Sequence, residues 1–229
     1  MEAWITSELE GLDARVEKQV AMDSVLSPPV EIHNLIGRYG PKSGRRIALV
    51  AHWDSRPWSD QDPDSAHRAD PVPGANDGAS GVAVLLEVAE LMKRRPPRVP
   101  VDLVFVDVED QGRPTAATEF CRGSRAYADH VRDDAASRPS AVFVFDMIGA
   151  NHLQIYDEAQ SAEHAANLVE IVHDAARAVG AGGFHPEVRH GVYDDHIPFL
   201  EAGIQAVDVI DFGYVNWHRK TDLAAEVSQ

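Results

Sequence analysis

Apolar residues recur along this chain in two periods and predict alternating strands and helices. Ile5, Leu9, Leu12 and Val16 recur at helical spacing and predict an amphipathic N-terminal helix. Val30 to Tyr39 reads as a strand with Ile32, Asn34 and Ile36 on one face. Ile47-Ala48-Leu49-Val50-Ala51 is a continuous apolar run, the pattern of a strand buried on both faces. The loop from Ser55 to Val72 is long and rich in Pro and Asp, and such loops are usually functional or disordered. Val84, Leu85, Val88, Ala89 and Met92 mark a helix from near Gly81 to Arg95, capped by Ser80 and stopped by Pro96-Pro97.

Val101 to Val108 and Ala141 to Met147 are further buried strands, separated by a loop from Gln111 to Phe120 and a helix from Ser124 to Val131. Gln154 to Tyr156 is a short strand, and Ala162 to Val179 a long helix ending at Gly180. Ile197 to Ala202 is a helical turn, and Gln205 to Ile210 a last buried strand. This alternation predicts an α/β three-layer sandwich, a mostly parallel twisted central sheet with helices on both faces. The 229 residues and 44% apolar content suit one domain with a sizeable core.

Composition narrows the function by exclusion. A net charge of −16 argues against binding nucleic acid or anionic lipid. No apolar run approaches the roughly 18 residues of a membrane span. Charges scattered from Met1 to Asp23 do not read as a secretory leader. The lone Cys121 allows neither an intramolecular disulfide nor a cysteine metal cluster.

Folds of this class bind ligands beyond the carboxyl ends of their strands, and there the chain collects charge. His52 and Asp54 follow the first apolar run, Glu109 and Asp110 the next, and Asp146 the third, while Trp217 and His218 follow the last. Asp77 sits in the glycine-rich stretch Pro73 to Gly81, at the start of the central helix. Singly, such residues cap helices or form turns. Together on one rim they would repel one another, and a divalent cation relieves that cost. Carboxylate and imidazole without cysteine suit a catalytic zinc site.

The same segments resemble the animal-type glutaminyl cyclases and their bacterial relatives, within the wider zinc aminopeptidase superfamily. They are Ala51 to Pro57, Pro73 to Gly81, Asp107 to Gly112, Cys121 to Ser124, Asp146 to Ala150, Asp194 to Phe199 and Trp217-His218. The resemblance implies one zinc held by Asp77, Asp110 and His218, with a fourth position open. Animal members carry Glu where Asp110 stands, and bacterial ones are similar to this chain in having Asp. It also implies a cis peptide after Asp77, which Gly78 would ease.

The implied reaction is the closure of an N-terminal glutamine to pyroglutamate with loss of ammonia, acting on peptides or proteins as a monomer. Glu109 would be the proton carrier. It neighbours the ligand Asp110, and neighbours on an extended chain point apart. Asp146 and Asp194 would supply hydrogen bonds, and Trp217, with Val192 and Tyr193, would wall the substrate pocket. Animal cyclases carry a further loop tryptophan that Gln111 to Phe120 lacks, and Phe120 is the nearest aromatic substitute. Trp53 and Trp58 lie near these segments in sequence, and Trp58, in the long loop, is open between lining the site and covering core. His52 is open between two roles: a ligand of a second zinc with Asp146, bridged by Asp77, or part of an outer hydrogen-bond network, oriented by Asp54 in either case. The alternatives are a dinuclear zinc aminopeptidase on the same fold, and a non-catalytic binding protein, which would require a lost ligand or base.

Overall fold

The computed structural model describes residues 1–228. Six strands form the main sheet in the order β1-β2-β4-β3-β5-β8. These are β1 (Arg15–Asp23), β2 (Val30–Tyr39), β3 (Ile47–His52), β4 (Val101–Val106), β5 (Ala141–Asp146) and β8 (Ala206–Ile210). β4, β3, β5 and β8 pair parallel, and β1 and β2 add antiparallel. A small parallel pair, β6 (Ile155–Glu158) and β7 (Phe184–His190), stands apart from it.

The alternation of strand side chains divides the core into two layers. Ala48, Val50, Val104, Val106, Val142 and Val144 face α3 (Arg122–Val131) and α6 (His196–Glu201). Leu49, Ala51, Leu103 and Phe105 face α1 (Glu2–Gly11) and α2 (Ala79–Arg94) on the other side. Two further helices, α4 (Ala159–His164) and α5 (Ala166–Val179), follow β6. The expected three-layer sandwich is therefore present. The parallel strands end on one edge, and that shared edge carries the polar residues.

Several local expectations are corrected. Val16 belongs to β1, because the N-terminal helix ends at Gly11. β1 is an edge strand with Val20 and Met22 exposed, so it lacks the dense apolar signal of a buried strand. β7 escapes the pattern for the same reason and contains Pro186, which edge strands tolerate. The long helix is two: the chain breaks at Ala165, and the Glu158 carboxylate caps the first by accepting from Gln160 and Ser161 amides. Gly180 closes the second in the left-handed conformation, as expected.

Ser80 does not cap α2. Gly78 occupies the cap with φ of 95°, and the Ser80 hydroxyl donates to Asn76 O at 2.6 Å within the first turn. A side chain at Gly78 would meet Asp54 O at 2.7 Å and the His52 ring at 3.0 Å. The peptide after Asp77 is trans, and Ser27–Pro28 is the only cis bond among the described residues. The Asp77 loop turns instead through Gly78 and is held from beneath by the Asp222 carboxylate.

Candidate functional site

Each candidate residue arrives from a different segment of the same edge. His52 ends β3, Asp146 ends β5, and Glu109 and Asp110 lie three and four positions beyond β4. Asp77 precedes the cap of α2, Asp194 precedes α6, and His218 follows β8 on the C-terminal segment. All seven are buried. The structure brings together every residue proposed for the centre.

Asp77 divides the centre in two. Its Oδ1 lies 3.3 Å from His52 Nε2, which is 3.2 Å from Asp146 Oδ1. Its Oδ2 lies 3.8 Å from His218 Nε2, which is 3.4 Å from Asp110 Oδ1. Tetrahedral zinc with ligand bonds near 2.1 Å spaces its donor atoms by about 3.4 Å. Both triads have the donors and the dimensions for a cation.

The two triads differ in how their buried atoms are satisfied. Asp77 Oδ2 and Asp110 Oδ2 have no hydrogen-bond partner. Opposite them, His52 and Asp146 bond each other. Uncompensated buried carboxylate oxygens are costly, and a divalent cation is the partner their chemistry fits. Asp77, Asp110 and His218 thus fit zinc on the residues themselves.

Charge at the centre follows from this crowding. Burial, and next the Asp110 charge, raise Glu109 well above the ordinary carboxylate value. Burial likewise pushes Asp146 up to about 7, against the pull of His52. His52 is held well above its ordinary value: burial opposes its charge, but Asp146, Asp54 and Asp77 outweigh it. Asp77 is lowered because His52 more than offsets burial.

Around the candidate ligands lie Arg56, Asp60 and Asp222, to which the sequence pattern gives no role, and further contacts of Asp54 and Asp194. Arg56 is buried, donating to Asp110 Oδ1 at 2.8 Å and Asp60 Oδ1 at 2.5 Å. Asp60 Oδ1 in turn lies 3.5 Å from His218 Nδ1. Asp222 accepts from the amides of Asn76 at 2.9 Å and Asp77 at 3.1 Å, and from Tyr214 Oη at 2.9 Å. Asp54 accepts from the amides of Glu109 and Asp110 at 3.0 and 3.3 Å, besides lying 3.6 Å from His52 Nδ1. Asp54 therefore ties the Glu109 loop to β3. Cys121 Sγ lies 3.4 Å from Glu109 Oε1, and Asp194 faces the same carboxylate. No spacing in the sequence announces these contacts. The Arg56-Pro57 step and the acidic loop around it are the only visible signals.

The backbone is strained here. Val108, Cys121, Met147 and His218 have φ of 54°, 55°, 47° and 52°, and the other non-glycine residue in that region among the described residues is Asp13. The left-handed conformation is least favourable for β-branched Val108. This turn, not strand alternation, separates Glu109 from Asp110, because β4 already ends at Val106. The long loop after His52 is ordered: Gln61 N donates to His218 O, and Lys220 N to Asp62 Oδ2.

The centre opens on a cavity of about 370 Å³ walled by Phe120, Val192, Tyr193, Phe212, Trp217 and His218. Phe120 occupies the wall of this pocket, and Arg56 lies between its ring and that of Trp58, 5.3 and 5.2 Å from the centroids. Trp53 faces away, its indole donating to His33 O, and packs in the core.

Residues 34–229 match the model of peptidase family M28. The crystal structure of Bacteroides thetaiotaomicron glutaminyl cyclase bound to N-acetylhistamine is similar to this chain, with a TM-score of 0.91 and 32% identity. The similarity covers 99% of this chain and 82% of that one. Aminopeptidase YwaD of Bacillus subtilis is 29% identical over 77% of this chain, which spans 35% of that protein. A Bos taurus glutaminyl-peptide cyclotransferase-like protein is 25% identical over 87% of this chain, which spans 56% of it.

Proposed function

The chain belongs to peptidase family M28, and within it we propose a zinc-dependent glutaminyl-peptide cyclotransferase. It would close N-terminal glutamine of peptides or proteins to pyroglutamate and release ammonia. The observation that carries this reading is the asymmetry at Asp77. The Asp77–Asp110–His218 face leaves Asp77 Oδ2 and Asp110 Oδ2 unpartnered, whereas on the opposite face His52 Nε2 bonds Asp146 Oδ1 and only the ring's other nitrogen, His52 Nδ1, lacks a partner. One cation site and one internal hydrogen-bond network fit a mononuclear enzyme. A leucine aminopeptidase precursor of Bacteroides thetaiotaomicron is similar to the same degree as the cyclase, so the choice rests on the site itself.

Zinc held by Asp77, Asp110 and His218 would supply Lewis-acid polarisation of the substrate γ-carbonyl. The rest falls to the side chains. The α-amine nitrogen bonds to the side-chain carbonyl carbon, Cδ, the bond from that carbon to the amide nitrogen breaks, and ammonia leaves. Glu109 takes the proton from the amine and returns it to the departing nitrogen. Asp194, facing Glu109, and Asp146, on the His52 side, would accept hydrogen bonds from the nitrogens during the transfer. Trp217, its ring centroid 4.0 Å from that of His218, holds the flexible glutamine side chain in a cyclising pose with Val192 and Tyr193. The substrate carries its own nucleophile, so positioning supplies much of the acceleration.

A dinuclear aminopeptidase is the second reading, favoured by the dimensions of the His52–Asp77–Asp146 triad and the likeness to aminopeptidase YwaD. Mass spectrometry of a Gln-Ala peptide incubated with zinc-loaded protein separates the two. Cyclisation removes one ammonia, about 17 mass units, from the intact peptide. Release of free glutamine would instead establish the aminopeptidase.

A further inference from the structure

A second groove, of about 540 Å³, lies next to the metal pocket and takes no part in the mechanism above. Tyr156 of β6, Arg189 and His190 of β7, and Tyr214 and Asn216 beyond β8 line it. An unbroken series of ring contacts joins it to the ligand His218. Successive centroids are separated by 4.0 Å from His218 to Trp217, 5.1 Å to Phe212, 5.5 Å to His190 and 6.1 Å to Tyr156. Arg189 ends the series with its guanidinium carbon 4.5 Å from the Tyr156 centroid. Its side chain is exposed, and no carboxylate pairs with it among the described residues.

We infer that this groove binds the residues downstream of the substrate's N-terminal glutamine, and that Arg189 selects peptides with a carboxylate near that end. The inference rests on the proposed cyclase activity and names its substrate class. The four ring steps and the last step to Arg189 bound its distance from His218 at about 25 Å, and an extended peptide advances about 3.4 Å per residue. Arg189 is therefore within reach of roughly the first seven residues. A guanidinium seated on an aromatic ring presents its fork to a carboxylate in fixed geometry. Burial first, and the Arg189 charge among the other causes, hold His190 below its ordinary value, so it adds no second cation. Two carboxylates share the groove. Asp211 is committed to the amides of Gln154 and Gly213, and exposed Glu226 weighs against a run of acidic residues. A single acidic side chain is the fitting ligand.

The test compares Gln-Ala amide, Gln-Ala-Ala-Glu-Ala amide and Gln-Ala-Ala-Lys-Ala amide on zinc-loaded protein. It is run near physiological salt, where a Debye length of about 8 Å damps the repulsion from the net charge. The Glu peptide should exceed the Lys peptide in kcat/KM by about fivefold, the size of an exposed charge pair. Arg189→Glu should reverse that order. Equal kcat/KM for the two pentapeptides, with Gln-Ala amide cyclised, overturns the groove assignment and leaves the cyclase standing. Release of free glutamine overturns the cyclase, and the same ratio, measured on release, still decides the groove. If neither product forms, the ratio of the two dissociation constants by calorimetry decides it.

Discussion

The two faces of Asp77 hold the same kinds of side chain in opposite states. Toward His52 and Asp146 the polar atoms find each other at 3.2 and 3.3 Å. Toward Asp110 and His218, oxygens of both carboxylates lie buried and unpartnered. Donor type and spacing are nearly alike on the two faces, so neither identifies a metal site. What distinguishes them is whether the buried acceptors have another partner.

Four variants break or sharpen this contrast. His218→Ala has the largest expected effect, because it removes a ligand from the unpartnered face. Bound zinc, read by elemental analysis, should be lost, and cyclisation should fall to the level of the metal-free protein. Glu109→Gln comes next: it should keep zinc and lower kcat by about 10²- to 10⁴-fold, the range of proton-transfer catalysis. Near-normal turnover would remove Glu109 as the proton carrier. His52→Ala should cost about 10- to 100-fold in kcat, as for an orienting network, with zinc content unchanged. A drop from two zinc ions to one in that variant would erase the contrast between the faces.

The smallest effect comes from a carboxylate whose partner is present, Glu158, whose Oε2 lies 3.0 Å from His196 Nε2. Burial raises its value, but His196 and the Gln160 and Ser161 amides outweigh this and depress it to about 2. A depressed folded-state value means stability that is present above the ordinary 4.5 and is lost as pH falls toward about 2. The Tm advantage of the native chain over Glu158→Gln should therefore shrink across that window. A difference independent of pH would remove this assignment.

What the sequence discloses of the molecule follows how densely each element is buried. β3 and β5 carry apolar runs, and β4 and β8 carry runs broken only by Asp102 and Asp208, because helices cover both of their faces, so pattern alone locates them. β1 and β7 lie at edges and keep polar or exposed side chains, which leaves no such run. The clustering of the candidate residues is legible because the strands present their ends together, and Asp77, Glu109, Asp110, Asp146 and His218 each follow an apolar stretch or stand at a helix start. Arg56, Asp60 and Asp222 are not legible, since their contacts with Asp110, His218 and the Asp77 loop depend on how loops fold back. The left-handed conformations of Val108 and Met147 are equally invisible, because tertiary contacts impose them against local preference.

The central claim is that one face of Asp77 holds a cation and the other does not. Zinc titration into the metal-free protein, followed by calorimetry with elemental analysis of the product, tests it most directly. The asymmetry of buried partners predicts one zinc per chain. Two zinc ions of comparable affinity would contradict it and would turn His52 and Asp146 from a hydrogen-bond network into ligands.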